Sequence, residues 1–84
     1  MVNELTLDEM ILSAFAAVAQ TNGALFLGAI YNGDEECRVM LLQRVREYLI
    51  NHYGLHNNDL NNNHILTILD THEDELSAFA LNVF

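Results

Sequence analysis

From Met10 to Tyr31 the chain carries no charged residue (MILSAFAAVAQTNGALFLGAIY), although 18 % of the whole is Asp, Glu, Lys or Arg. A run this apolar must be hidden, in lipid or at the centre of a fold, and the two destinations leave different marks. Spanning a bilayer takes about 20 consecutive apolar residues. Here Gln20-Thr21-Asn22-Gly23 divides the stretch into residues 10–19 and 24–31, so a joined span would carry polar side chains to mid-membrane. Its flanks are Asp8-Glu9 and Asp34-Glu35-Glu36, whereas Lys and Arg orient membrane spans. No cation precedes it, and a secretory signal opens on one. The stretch therefore predicts the buried centre of a helical domain, with no membrane association.

Its first half reads as helix. Thr6 followed by Glu9 is a capping box, and Leu7, Ile11, Ala14, Phe15 and Val18 recur at helical spacing. Leu12, Ala16 and Ala19 occupy the opposite side, which predicts a helix buried all round. Asn22-Gly23 should end it, with Gly23 in the left-handed cap. Residues 24–31 fit a buried strand or a short core helix by periodicity alone. Helix is preferred, because a lone strand has no partner in this chain.

Asn32 and Glu35 form a second cap-like pair, opening a long helix that runs to about His52. Arg38, Leu41, Leu42, Val45, Tyr48, Leu49 and His52 give its inner stripe. Arg44 and Glu47 are placed to pair on its outer side, and Gly54 supplies the stop. Residues 55–64 are Asn-rich and predict a surface loop with room for one helical turn. Beyond it, Ile65, Leu69, His72, Leu76, Phe79 and Val83 follow a helical stripe, interrupted by the polar Asp70-Thr71-His72-Glu73-Asp74-Glu75. Thr71 with Asp74 can restart a helix there, so two short helices are expected. The fold class is all-α: one domain over residues 1–84, a compact bundle of four to five helices.

A chain of 84 residues buries only about 60 % of its unfolded surface. Yet 51 % of these residues are hydrophobic, so a homodimer that covers a leftover apolar face is expected. The net charge is −9, and the only cations are Arg38, Arg44 and Arg46. Nucleic-acid binding needs cations that displace counterions, so direct contact with DNA or RNA is not expected. A partner protein with a basic surface is, since opposite fields steer encounter. Cys37 is the lone cysteine, so no intrachain disulfide forms, which fits the cytoplasm. Its acidic neighbours disfavour the thiolate.

Residues that could carry chemistry are few. His52, His56, His64 and His72, with Asp59 among them, match no zinc-ligand spacing, and no metal site is expected. Ser13 and Ser77 lack a His–acid constellation, and Gly23, Gly28, Gly33 and Gly54 form no phosphate loop with a lysine. No catalytic residue and no cofactor are therefore assigned, and the protein is expected not to be an enzyme. From Arg44-Val45-Arg46 through Gly54-Leu55, the Asn-rich loop and Asp74-Glu75-Leu76, about half of the chain resembles the first half of an acyl carrier protein. That family bears phosphopantetheine on the serine of an Asp-Ser-Leu motif. Glu75 stands at that position here, and the family's later helices have no counterpart, so the resemblance implies no prosthetic group.

Three acidic clusters remain: Glu4-Asp8-Glu9, Asp34-Glu35-Glu36 and Asp70-Glu73-Asp74-Glu75. Each lies at a predicted helix start, where the dipole favours a carboxylate by about 0.3–1 kcal/mol. The dipole explains their placement but not the absence of balancing cations. The expected function is a small acidic regulatory protein, of inhibitor or adaptor type and including nucleic-acid mimics. It would bind a basic surface of another protein through Asp34, Glu35, Glu36, Asp70, Glu73, Asp74 and Glu75. The alternative is a structural subunit that joins a larger assembly through Phe79, Leu81, Val83 and Phe84. A third class is a small-ligand or metal-binding helical protein.

Overall fold

The capping box opens the fold as the sequence predicts. The Glu9 N–H donates to the Thr6 hydroxyl at 3.2 Å, and the Thr6 N–H donates to the Glu9 carboxylate at 3.0 Å. From this start the computed structural model, which describes residues 5–81, builds α1 (Leu7–Thr21), α2 (Gly23–Ile30), α3 (Glu35–Tyr53), α4 (Asn62–Thr71) and α5 (Glu73–Leu81). A single 3-10 turn covers Asn57–Asp59, and no strand occurs among the described residues. Residues 24–30 thus settle as helix, with Tyr31 as the C-cap.

Between α1 and α2 the chain bends by 113° at one residue. The predicted left-handed cap at Gly23 does not form, because Gly23 already belongs to α2. Asn22 serves both helices. Its N–H closes α1 on the Val18 carbonyl at 2.7 Å, and its side chain accepts from the Leu25 N–H at 3.3 Å. A short amide can satisfy the free donors of the next helix while its own backbone stays non-helical. The glycines act instead by close approach. A Cβ on Gly23 would lie 3.1 Å from the Ala80 carbonyl oxygen of α5, and one on Gly28 would lie 3.0 Å from Cys37 Sγ of α3.

The predicted Asn32–Glu35 pair is also displaced. Gly33 turns the chain at φ 61°, which leaves Asn32 outside the helix. Asp34 becomes the cap, accepting from the N–H groups of Glu36 (3.0 Å) and Cys37 (3.4 Å). At the far end Gly54 (φ 68°) stops α3 as expected, with its N–H on Ile50 and the Leu55 N–H on Leu49. Such a left-handed residue returns the last carbonyls to donors just beyond the helix. α4 begins inside the Asn-rich stretch, because Asn61 caps it by accepting from Asn63 and His64. The break between α4 and α5 falls at His72, within the polar segment.

α1 packs against each of the other four helices. Ile11, Phe15, Phe26, Leu41, Val45, Leu49, Ile65, Leu69 and Leu76 are essentially inaccessible and form the core with small residues such as Ala14, Ala19 and Ala29. α1 is not buried all round: Leu7 is exposed, and Leu12, Ser13 and Ala16 are half-buried. The outer Arg44–Glu47 pair does not form. Among the described residues the side-chain pairs of this kind join a histidine to a carboxylate: His64 and Asp8 at 2.6 Å, and His72 and Glu75 at 3.6 Å. No described helix is long and apolar enough to cross a membrane.

Candidate docking groove

The half-buried side of α1 faces α5, and beside their contact a gap stays open between the two helices. Leu5, Leu12, Ser13 and Ala16 on one wall and Leu76 and Phe79 on the other line a groove of about 410 Å³, with Glu9 and Glu75 also lining it. Small side chains explain the gap. Ala16 reaches too short a distance to fill it, and the break at His72 sets the phase of α5 so that Leu76, Ser77 and Ala80 face inward. Phe79 is left 39 % exposed. Ser13 is fixed by the Tyr53 hydroxyl, 3.1 Å from its Oγ, which ties the end of α3 to the middle of α1.

Among the described residues the charge on this groove has one sign. Glu9 is held ionised by its hydrogen bonds from the Thr6 backbone N–H and then the Thr6 hydroxyl, which keep its carboxyl below the ordinary range. Glu75 lies in the first turn of α5 together with Glu73 and Asp74. No arginine lines the groove. An apolar floor with carboxylates along its edges suits an amphipathic helix carrying cations beside its apolar stripe, since such helices lie in grooves through anchors at three- and four-residue spacing.

The acidic residues singled out from the sequence divide between two places. Glu75 lines the groove, with Glu73 and Asp74 in the same first turn of α5. Asp34, Glu35 and Glu36 stand at the start of α3, where the Asp34 carboxylate is spent on capping. No groove, hydrogen bond or ion pair among the described residues joins the two sets. Asp70 departs from the expected placement: it sits in the last turn of α4, where the helix dipole opposes a carboxylate. Glu4 lies outside the described residues. Glu9 is the groove carboxylate that the sequence reading did not assign to a partner. Its signal was present as the capping-box acid, but nothing in the spacing linked it to Glu75.

The largest polar cluster is one the sequence did not announce. Arg46 of α3 donates to the Asn57 side chain and carbonyl, to the Leu60 carbonyl and to the Asn62 side chain, at 2.6–3.1 Å. The planar guanidinium supplies several donors in a fixed fork, and here they hold the Asn-rich connection onto α3. Its donors are committed to this connection, and since every acceptor is neutral its positive charge stays on α3.

The remaining chemistry-bearing groups do not assemble. Among the described residues no three His, Cys, Asp or Glu side chains converge as a metal site. Neither Ser13 nor Ser77 hydrogen-bonds to a histidine among them. The Cys37 thiol is pushed above its usual range by partial burial and then by the Asp34 and Glu36 carboxylates. Comparison with protein-family models, with curated proteins and with solved structures finds no match for this chain.

Proposed function

We propose that this protein is a small, non-enzymatic, cytoplasmic regulator of inhibitor or adaptor type that works as a homodimer. It docks a basic amphipathic segment of another protein in the α1/α5 groove. One observation carries this reading: an apolar floor bearing Leu12, Ala16, Leu76 and Phe79 lies between Glu9 and Glu75, in a chain whose charges outside α3 are all negative. Opposite fields would accelerate encounter, and the apolar anchors would set residence. Glu73 and Asp74 extend the attracting field along α5, and Asp70 adds to it from α4. Asp34, Glu35 and Glu36 belong to a separate surface.

The test is fluorescence anisotropy with a labelled helical peptide bearing a leucine stripe flanked by arginines. Binding should weaken steeply as ionic strength rises, because screening shortens from about 30 Å at 0.01 M to about 8 Å at 0.15 M. It should be lost in Phe79→Glu and absent for the same peptide with glutamates replacing arginines. Affinity that ignores both salt and the sign of the peptide's charge refutes the reading.

A second reading, a structural subunit of a larger assembly, draws support from the exposure of Phe79 and Leu81. Val83 and Phe84, the other residues expected on that surface, lie outside the described residues. Assembly through buried anchors would show little salt dependence and would fail on truncation of residues 82–84.

A further inference from the structure

α3 is the one element on which the charges balance. It holds Glu35, Glu36 and Glu47 together with Arg38, Arg44 and Arg46, so every other part of the chain carries carboxylates only. Two copies of a chain with net charge −9 repel wherever their acidic surfaces meet. The outer side of α3 is where that repulsion is locally absent.

The same side of α3 is also apolar at its centre. Val39 is 59 % exposed and Met40 45 % exposed, in the second turn of a helix whose inner stripe is already filled by Leu41, Val45 and Leu49. Val39 stands between two shallow hollows. One is lined by Glu35, Glu36 and Met40, and the other by residues that include Leu42, Gln43, Glu47 and Ile50. A ridge with a hollow on either side is what helix-on-helix packing requires.

The order of residues along this face then selects the occupant. Glu36, Met40 and Arg44 are spaced four apart, so they form one continuous row on the helix surface. The row reads negative, apolar, positive. Turned end for end it reads positive, apolar, negative, which is its own complement. An isologous contact needs a surface that matches itself under a two-fold rotation.

We propose that the second copy implied by the homodimer reading docks here, α3 against α3 antiparallel, with the two-fold axis near Met40. Met40 meets its counterpart across the axis, and Val39 enters the hollow beside the other copy's Met40. Glu36 of each copy faces Arg44 of the other. The inference rests on the homodimer part of the proposed function and is independent of what occupies the α1/α5 groove.

Light scattering and analytical ultracentrifugation of the purified chain test it, with helicity checked by circular dichroism for each variant. The wild type should be a dimer, and Met40→Glu should be a folded monomer. Glu36→Arg and Arg44→Glu should each raise the dimer dissociation constant by at least about tenfold, because each sets two like-charge pairs across the axis. Mixing the two single variants should restore assembly as a heterodimer, since one chain then offers only arginines and the other only glutamates at these positions. Unfolding of either variant cannot produce that rescue. A wild type that stays monomeric at high concentration overturns both this contact and the homodimer. A dimer that survives all three α3 variants but is lost in Phe79→Glu overturns the α3 contact alone and moves the interface to the groove.

Discussion

Two exposed apolar surfaces among the described residues differ in charge, and the difference decides what each can accept. The α1/α5 groove is concave, and among the described residues its charged lining is carboxylate alone. The outer side of α3 is a ridge flanked by shallow hollows, and it carries both signs in a self-complementary order. A surface of one sign recruits something unlike itself. A surface of alternating sign can recruit its own copy. Equal apolar exposure would have left both partners open; the placement of three arginines on one helix separates them.

The comparison breaks most completely from beneath. Phe15 is fully buried in α1, the helix that contacts all the others. Phe15→Ala should cost about 3–5 kcal/mol in urea denaturation, and both surfaces should fail together, because α1 sets the position of α3 and α5 alike. The next effect is local. Arg46→Ala removes a charged donor set from the Asn57 and Leu60 carbonyls, and hydrogen bonds to charged groups contribute about 1.5–3 kcal/mol. A loss of about 2 kcal/mol is expected from the same measurement, with little recovery in Arg46→Lys, since an ammonium cannot reproduce the fork. This change should loosen the connection into α4 and widen the hollow that Arg46, Asn57 and Asn62 line beside Val39, while the α1/α5 groove is kept.

Sharper discrimination comes from binding. Phe79→Ala should weaken capture of the basic peptide by about thirtyfold, the scale of a buried aromatic anchor, while sedimentation shows the dimer unchanged. Salt should separate the two surfaces by sign. Peptide affinity falls as ionic strength rises, whereas self-association does not weaken, because screening relieves the repulsion between two acidic chains as it weakens the Glu36–Arg44 pairs. A parallel decline of both would mean that the two surfaces share one electrostatic origin.

The smallest effects concern the groove's edge. Thr6→Ala should cost about 0.5–2 kcal/mol by loss of the N-cap. The Glu9 carboxyl is held below its usual range in the folded chain. Its contribution is therefore fully present above the unfolded value and disappears as pH falls through the lowered folded value. An acid titration of thermal stability should show this component in the wild type and lose it in Thr6→Ala.

Much of the helix plan is legible in the sequence alone. The Thr6–Glu9 box, the Gly54 stop and the polar interruption at residues 70–75 are local signals, and each acts within one turn of the residue that carries it. The misplaced features were those with two local solutions. Asn22-Gly23 and Asn32-Gly33-Asp34 each offer several capping residues, and the winner depends on where the following helix must lie. Asn22 caps α2 so that Gly23 can touch α5, and Asp34 caps α3 once Gly33 has turned the chain. The acidic site was half legible. Glu73, Asp74 and Glu75 were visible as a cluster, but Glu9 joins Glu75 only because α1 and α5 pack side by side.

The sequence by itself determined that the first half of the uncharged middle would be helix, that the stretch would be buried, and that cations would be scarce. Helical periodicity, caps and composition act over a few residues and need no tertiary partner. Only the tertiary structure decided which apolar side chains stayed uncovered and which charges stood beside them. The 113° bend at Asn22, the gap beside Ala16 and the capture of Arg46 by the Asn-rich connection all depend on contacts between residues far apart in the chain. Such contacts are set by packing the five helices together, and no single segment encodes them.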